Sequence, residues 1–257
     1  MFARSGRGEV PVRSLGGRYV FLSASVPHRP AWVEGVRPND IEEAVVSLSR
    51  AVFARGGRLV FGGHPSISPL VAAVAGEYYP ADPERPEESR PVRTYQSYWW
   101  TGPQIPNETW EMSRWGHTFI RWTEKGQSEA DSLARMRDLM MRETNPMAMV
   151  AIGGMEGIRD EADVFLRMCG GPVYVARSCA GAAAKLADEP RSWTNTLAPD
   201  PARPMSPEVL ASLRKGAADK RIHTLEDEWM RAKEVPMLPG FLPFGSMMQW
   251  LVDESAY

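Results

Sequence analysis

The sequence predicts an α/β fold in which a mostly parallel sheet is covered by helices on both faces. Short runs that are apolar throughout are followed, again and again, by segments with helical spacing. Two of these runs end in a pair of glycines just before the next helix. Repeated strand–helix units build parallel sheets, and ligands of such sheets bind at the carboxyl ends of the strands.

The first half of the chain supplies two strand–helix units. A compact apolar run that ends in small residues predicts a buried strand at 18–25. Asp40 is predicted to cap the next helix, whose apolar residues share one face and which stops at Gly56-Gly57. The strand at 58–63 runs straight into glycines, and a short apolar helix is predicted at 67–79.

A loop rich in proline and charge separates these units from the next strands. It covers 80–91, and β-prone runs follow at 92–100 and 117–124, on either side of a looser segment at 101–116. A helix is predicted at 128–145, because it opens with serine and an acidic first turn and its apolar residues recur at helical spacing.

The remaining strand–helix units lie between residues 147 and 188. Strands are predicted at 147–154 and 171–178, and helices at 158–169 and 179–188, the last rich in small residues. The whole pattern is that of a Rossmann-like fold.

Four stretches make up the predicted domain organisation. Residues 1–17 are basic and glycine-rich and predict a flexible arm, and residues 18–188 form the Rossmann-like domain. A proline-rich linker covers 189–207. Residues 208–257 combine polar helices with an apolar end that lacks clear periodicity, and we interpret them as an extension, an oligomer contact or a lid.

Composition excludes several classes of protein. With 43% hydrophobic and 24% charged residues, the chain is typical of a globular protein. A net charge of −2 gives no overall basic field, which argues against nucleic acid and membrane as partners. No secretory signal and no run of about 20 apolar residues is found, so the cytoplasm is the predicted location.

The cysteines and histidines do not have the spacing of a metal site. Cys169 and Cys179 form no CxxC pair, and His28, His117 and His223 are far apart in sequence. We therefore predict no metal and no cofactor, and interpret the cysteines as packing residues.

The first candidate site is the loop after the strand at 58–63. Gly62 and Gly63 expose backbone N–H groups, and the N-terminus of the following helix adds partial positive charge, so phosphate could bind without a lysine. Ser66 and Ser68 offer hydroxyl groups as hydrogen-bond donors. His64 could donate a hydrogen bond to phosphate or act as an acid. The alternative is a tight turn in which the serines act as caps and the histidine is a turn residue.

The second candidate site, after the strand at 147–154, has the same features: glycines with exposed N–H groups and then the N-terminus of a helix. Its binding residues are predicted to be Gly153, Gly154, Met155, Glu156 and Gly157. The pattern is neither GxGxxG nor a P-loop. Two such junctions in one parallel sheet could nevertheless hold a single ligand between them.

These paired loops resemble those of the SLOG superfamily, named for the Smf/DNA-processing-A proteins and the Lonely-Guy phosphoribohydrolases. In the Lonely-Guy enzymes a strand ends in Pro-Gly-Gly-x-Gly-Thr-x-x-Glu, and an arginine on the preceding helix works together with the glutamate. The resemblance covers roughly 18–188. It implies that Glu161 corresponds to the catalytic glutamate and Arg137 to the arginine.

The chain departs from the enzyme motif at three places. Ile152 replaces the proline, one residue is added before Gly157, and Ile158 stands where threonine is usual. These departures affect hydrolase geometry more than nucleotide binding. They resemble divergent SLOG branches thought to sense or process nucleotide-derived signals in bacterial conflict systems, often beside NAD-consuming partners.

Glu161 and Arg137 could each have a chemical or a structural role. A carboxylate near the anomeric carbon stabilises the positive charge that develops when an N-glycosidic bond breaks. Glu161 could do this while Arg137 binds phosphate or orients the carboxylate. Alternatively, Glu161 is a first-turn acid favoured by the helix dipole and Arg137 a surface residue. Asp160 and Asp163 are interpreted as solvated.

Small residues and aromatic residues complete the candidates. Ser23 and Ser25 end the first strand and could contact a base or ribose, or simply allow close packing. Five of the nine tryptophans fall within 24 residues, beside Tyr95 and Tyr98. Such a cluster can stack on a base or line a lid, and it can equally form an interface or a satellite core.

The sequence therefore supports three functional hypotheses. The first is binding, or sensing, of a nucleotide or nucleotide-derived molecule, including an NAD-derived signal in antiphage defence. The second is an N-glycosidase of the phosphoribohydrolase type. The third, a chaperone of single-stranded DNA, is disfavoured by the neutral charge. The resemblance also implies a homodimer or larger assembly, and a partner effector protein is expected.

Overall fold

A computed structural model describes residues 14–100, 105–188, 222–234 and 242–255. In these ranges seven strands form one sheet in which every pair is parallel. The strands are β1 (Tyr19–Ser25), β2 (Arg58–Phe61), β3 (Val92–Ser97), β4 (Thr118–Thr123), β5 (Ala148–Gly153), β6 (Val173–Ala176) and β7 (Ile222–Thr224). Their order across the sheet is β4-β3-β2-β1-β5-β6-β7.

Eight α-helices lie in the same described ranges. They are α1 (Pro38–Ala54), α2 (Ser68–Tyr78), α3 (Asn107–Arg114), α4 (Glu129–Thr144), α5 (Gly157–Met168), α6 (Gly181–Asp188), α7 (Leu225–Lys233) and α8 (Phe244–Ser255). Residues of α1, α2, α7 and α8 pack into one apolar core, and residues of α4, α5 and α6 pack into a second core. The predicted Rossmann-like α/β fold, with helices on both faces of a parallel sheet, is confirmed.

The strand order reverses between β1 and β5, at the centre of the sheet. From β1 the chain proceeds outward through β2, β3 and β4, then returns to β5 on the other side of β1. The pairing sets Ser25 beside Gly153, so both strands end at the same level. All six residues of β5 are buried, as expected for a central strand covered on both faces. A crevice therefore opens where the chain turns away in opposite directions.

Two local predictions are wrong, one about the start of a helix and one about a segment expected to be loose. The cap of α1 is Arg37 rather than Asp40, because Pro38 suits the first helical position and starts the helix earlier. Asp40 lies in the first turn, where its carboxylate accepts a hydrogen bond of 2.7 Å from Nε of Arg37. The segment predicted to be loose contains α3, which buries Thr109 and Met112.

The boundaries of α4 agree with the prediction. Ser128 is the N-cap, and its Oγ accepts a hydrogen bond of 3.1 Å from the backbone N–H of Asp131. Asn145 ends the helix in the left-handed conformation, with φ of 39°.

The C-terminal residues belong to the same sheet and core. β7 pairs with β6, and α8 packs against α1 through buried apolar side chains that include Met248 and Leu251. At the other end, Leu15 is fully buried in this core. The predicted linker and most of the predicted arm lie outside the described residues, and no helix in the described ranges is long and apolar enough to cross a membrane.

Candidate functional site

A cleft of about 440 Å³ opens over the carboxyl ends of β1, β2 and β5. Its walls come from the residues after β1, the loop that begins at Gly62, the loop 155–157, and the facing sides of α4 and α5. The two glycine loops singled out in the sequence therefore line one crevice. They are brought together because parallel strands end at the same edge of the sheet.

Gly153 and Gly154 shape the turn but do not line the cleft. Both have positive φ, 61° and 73°, which a residue with a Cβ rarely adopts. The N–H of Gly154 donates to the carbonyl of Ser25 at 2.8 Å, and a Cβ on Gly153 would lie 2.4 Å from Cδ1 of Ile41. These two glycines redirect the chain, and the amide of Gly154 is already satisfied by the protein.

The next three residues present the amides that remain available. The N–H groups of Met155, Glu156 and Gly157 have no acceptor among the described residues. All three residues line the cleft, and α5 begins at Gly157. Unpaired amides at a helix N-terminus carry partial positive charge and favour an anion.

The loop after β2 faces these amides with a similar set. The N–H groups of Gly62, Gly63 and His64 likewise lack an acceptor in the described part of the chain. Gly63 has φ of 59°, and its carbonyl accepts a hydrogen bond of 2.6 Å from Nε2 of Gln96. A Cβ on Gly62 would lie 3.9 Å from Oε1 of Glu161, so this glycine keeps open the space above that carboxylate.

Two of the predicted hydroxyl donors hold the loop together instead of lining the cleft. Oγ of Ser66 accepts from the N–H of Val26 at 3.2 Å and lies 2.9 Å from Nδ1 of His64. Ser68 is buried, and its hydroxyl donates to the carbonyl of His64 at 3.0 Å. His64 does line the cleft. Burial, and then the nearby His28, lower the pKa of His64, which disfavours a charged imidazolium.

The predicted catalytic pair lies at the floor of the cleft. Arg137 on α4 is buried, with 8% of its side chain exposed, and its Nε is 3.5 Å from Oε1 of Glu161 on α5. That Nε makes no hydrogen bond within the described structure, so the pair is an ion pair without aligned hydrogen bonding. The hydroxyl of Ser23, at the end of β1, donates to Oε2 of Glu161.

Arg137 has two further contacts with α5. Its Nη1 is 3.2 Å from Oδ2 of Asp160, and its Nη2 is 3.5 Å from the carbonyl of Gly157. Asp160 is therefore an ion-pair partner that lines the cleft, although 63% of its side chain is exposed. Asp160 is a solvated helix residue, as interpreted from the sequence, and it also pairs with Arg137.

Opposing effects act on the carboxyl group of Glu161. Burial raises its pKa, while the Arg137 guanidinium and the Ser23 hydroxyl lower it, and the net direction is upward from the ordinary value. A carboxyl group held in this way can exchange protons at a less acidic pH than a free glutamate.

Sequence reasoning missed several lining residues. Four of them are polar or charged and lie on other segments: His28, Arg29, Gln96 and Glu129. His28 and Arg29 follow β1, and Gln96 lies near the carboxyl end of β3, so the rule that ligands meet strand ends could have identified these three. Glu129 is the first residue of α4. Ser23 and Ser25 line the cleft as predicted.

The tryptophan-rich segment divides between two places. Trp100 lines the cleft, whereas Tyr98, Trp122 and Trp110 stack on one another beside the edge strand β4, with ring centroids 4.9 and 6.2 Å apart. Of this segment, Trp100 is therefore the aromatic residue that a ligand in the cleft could meet.

The chain is similar to a known protein family and to solved structures. No curated protein sequence matches the chain. The X-ray structure of TM1055 is similar with a TM-score of 0.46 and 14% identity, covering 85% of this chain and 99% of that one. The molybdenum cofactor carrier protein MCP from Chlamydomonas reinhardtii is similar with a TM-score of 0.37 and 12% identity, covering 62% and 75%.

The chain also matches a protein-family model in sequence. A model of the SLOG cluster3 family matches residues 33–202, about two thirds of the chain, and this range includes both glycine loops, Arg137 and Glu161. The chain belongs to the SLOG cluster3 family.

Proposed function

We propose that the protein binds a nucleotide or a nucleotide-derived small molecule in the cleft between 62–64 and 155–157. The observation that carries this proposal is that six residues with backbone N–H groups that lack an acceptor line one crevice. Such amides bind phosphate oxygens without a lysine, and the N-terminus of α5 adds to their attraction. A volume of about 440 Å³ suits a ligand of nucleotide size.

The positions of the lining residues define the orientation proposed for the bound ligand. The phosphate would bind at the amides of 155–157, and the ribose would lie near Glu161, which Gly62 leaves accessible. The base would then extend toward Gln96 and Trp100 at the end of β3, where an indole ring and an amide can stack on and hydrogen-bond a heterocycle.

Sensing is the proposed biological use of this binding. The resemblance to SLOG proteins of bacterial conflict systems favours a cytoplasmic sensor of a nucleotide-derived signal, and an NAD-derived signal in antiphage defence is one such case. A homo-oligomer and a partner effector protein are part of the same proposal. Size-exclusion chromatography with light scattering, with and without bound ligand, would measure the assembly state.

The direct test is mass spectrometry of small molecules released from the purified protein. We expect a phosphorylated nucleoside derivative to be released from the native protein and not from Gly62→Leu. Gly62 lacks a positive φ, and a Cβ there would lie 3.3 Å from the flexible end of Met136 and 3.9 Å from Oε1 of Glu161, so a leucine would obstruct the space proposed for the ribose without an unfavourable φ. Gly245→Leu is the matched control, because a Cβ there meets open space on α8.

Two results would contradict binding in this cleft. One is the absence of any nucleotide derivative from the native protein together with no binding in a titration with nucleoside mono- and diphosphates. The other is retention of the same ligand by Gly62→Leu, since the leucine would occupy the space proposed for the ribose.

The second candidate function is hydrolysis of an N-glycosidic bond. It is favoured by the position of Glu161, which lines the cleft beside Arg137 even though the motif has an added residue before Gly157. The loop before α5 accommodates the added residue, because α5 begins only at Gly157 and Glu161 lies in its second turn. Water would add to the anomeric carbon, the base would leave with a proton, and the Glu161 carboxylate would stabilise the positive ribose.

Turnover would be measured as ribose 5-phosphate released from nucleoside monophosphates. Glu161→Gln should lower the rate by about 100-fold or more, because the amide has no charge to offer the transition state. Asp160→Asn is the control, since it removes the other carboxylate paired with Arg137 and leaves Glu161 intact. Equal loss in both variants, or no release by the native protein, would exclude the hydrolase and leave the binding function.

A further inference from the structure

An ion pair spans the mouth of the cleft. Nη1 of Arg29, in the segment after β1, contacts Oε1 of Glu156, the residue immediately before α5. Both residues line the cleft, and their side chains are 54% and 53% exposed. An ion pair with this exposure contributes little to stability, so another anion can displace the carboxylate without disturbing the fold.

Arg29 is the cation of the cleft that remains available to a ligand. Among the described residues, two arginines and no lysine line the cleft. Arg137 is buried and already faces Asp160 and Glu161. Burial lowers the pKa of His64, so its imidazole adds little positive charge.

The position of Glu156 is unusual for a loop that offers amides to an anion. Its carboxylate belongs to the same cleft as the unpaired N–H groups of 155–157, so it would disfavour a bound phosphate unless a cation intervened. The side chain makes no capping hydrogen bond to α5, so its effect on that helix is limited to the weak attraction of an exposed charge to the helix dipole. Its contact is with Arg29, to which a carboxylate offers the same oxygen acceptors as a phosphate.

We propose that Arg29 is the side chain that binds the ligand's phosphate, and that Glu156 takes the place of this phosphate while the cleft is empty. The inference rests on the proposed function, since it names a residue of the same site. The phosphate must displace the Glu156 carboxylate before it reaches both the guanidinium and the loop amides. A ligand without an anionic group cannot make this exchange, so the ion pair selects against neutral molecules such as unphosphorylated nucleosides.

The test is a calorimetric titration with ribose 5-phosphate, a probe that has a phosphate and a sugar but no base. Removing the competing carboxylate by Glu156→Gln should tighten binding about fivefold, and Arg29→Gln should weaken it about tenfold. Arg50→Gln and Glu77→Gln are matched controls. They break an ion pair of similar exposure on α1 and α2, 52% and 46%, and should change the affinity less than about twofold.

The double variant Arg29→Gln/Glu156→Gln separates this exchange from simple repulsion. If Glu156 acts by occupying Arg29, the gain from Glu156→Gln should fall below about twofold when Arg29 is absent. A gain that persists in full would mean that Glu156 only repels phosphate, and the inference would be overturned. Arg29→Gln binding as tightly as the native protein would overturn it as well, as would no binding by any variant.

The outcome is distinguishable from that of the proposed function. A nucleotide derivative that copurifies and is lost in Gly62→Leu would establish the cleft as the binding site, whichever way the Arg29 and Glu156 variants behave. If nothing copurifies and no phosphate compound binds, the proposed function and this inference both fail.

Discussion

Gly153 and Gly62 each follow a buried strand, yet they serve different physical purposes. Gly153 has a positive φ and would press a Cβ against Ile41 and the carbonyl of Ser25, so it is required by the turn. Gly62 has no such backbone constraint, and the volume its missing side chain leaves lies over Glu161. One glycine relieves backbone strain, and the other makes room for a ligand.

The backbone strain that Gly153 relieves predicts a large loss of stability when it is replaced. Gly153→Ala should lower the free energy of unfolding by about 2–4 kcal/mol, through an unfavourable φ and overpacking against Ile41. Gly245→Ala, in the open on α8, should change it by no more than about 1 kcal/mol. Urea denaturation followed by circular dichroism gives both values. A loss below about 1 kcal/mol for Gly153→Ala would contradict the assignment.

Glu161 predicts a pH dependence whose sign follows from its raised pKa. Between the ordinary pKa of 4.5 and the raised value, the folded state holds a proton that the unfolded state has lost. Raising the pH through this window therefore removes stability, and the Glu161→Gln variant lacks that loss. The unfolding free energy of the native protein, minus that of the variant, should fall as the pH rises above about 4.5.

Urea denaturation of the two proteins at a series of pH values would measure this difference. A difference that instead grows with pH would mean that attraction to Arg137 outweighs burial, and the pKa of Glu161 would then be lowered.

At the scale of secondary-structure elements, the C-terminal segment completes the domain. α7 contributes Glu226, which is buried and accepts the backbone N–H groups of Arg177 and Ser178 at 3.1 and 2.8 Å. α8 lies along α1, where Nε of Arg55 donates to Oδ1 of Asp253 at 2.8 Å. Elements distant in sequence thus cover one face of the sheet together.

The packing of α8 predicts that its inward face is essential to stability. Leu251→Ala should cost about 2–5 kcal/mol of unfolding free energy, because Leu251 is almost fully buried against the core shared with α1. Ser246→Ala, on the exposed side of α8, should change it by less than about 0.5 kcal/mol. Equal effects of the two substitutions in urea denaturation would show that α8 is not docked on α1 in solution.

At the scale of the whole molecule, the cleft joins both halves of the sheet. One half brings the loop after β2 and α4, and the other brings the loop after β5 and α5, with β1 between them. A ligand in this position contacts segments that meet only when the sheet is complete. Binding should therefore stabilise the entire domain and not one loop.

The expected stabilisation can be calculated from mass action. A ligand that binds only the folded protein raises the free energy of unfolding by about 2.7 kcal/mol at 100 times its Kd. We expect a corresponding rise in Tm for the native protein with the released molecule, and none for Gly62→Leu, whose leucine obstructs the space proposed for the ribose. A rise of equal size in both proteins would place the binding site elsewhere.

Much of this organisation follows from local sequence patterns. Apolar runs with helical segments between them are enough to predict β1, β2, β5 and β6, because a buried parallel strand must be apolar throughout. α3 was missed because a short helix of low apolar content has a weak periodic signal. α8 was missed because its apolar residues are too numerous to show a polar face.

The sequence by itself determined the parallel sheet and the meeting of two glycine loops at one of its edges, since apolar runs and glycines act locally. Only the tertiary structure decided which amides are available. Ser25 takes the N–H of Gly154, while 155–157 retain theirs. It also paired Arg29 with Glu156, 127 residues apart. Contacts over such separations depend on how the completed sheet positions its loops, and no local pattern contains them.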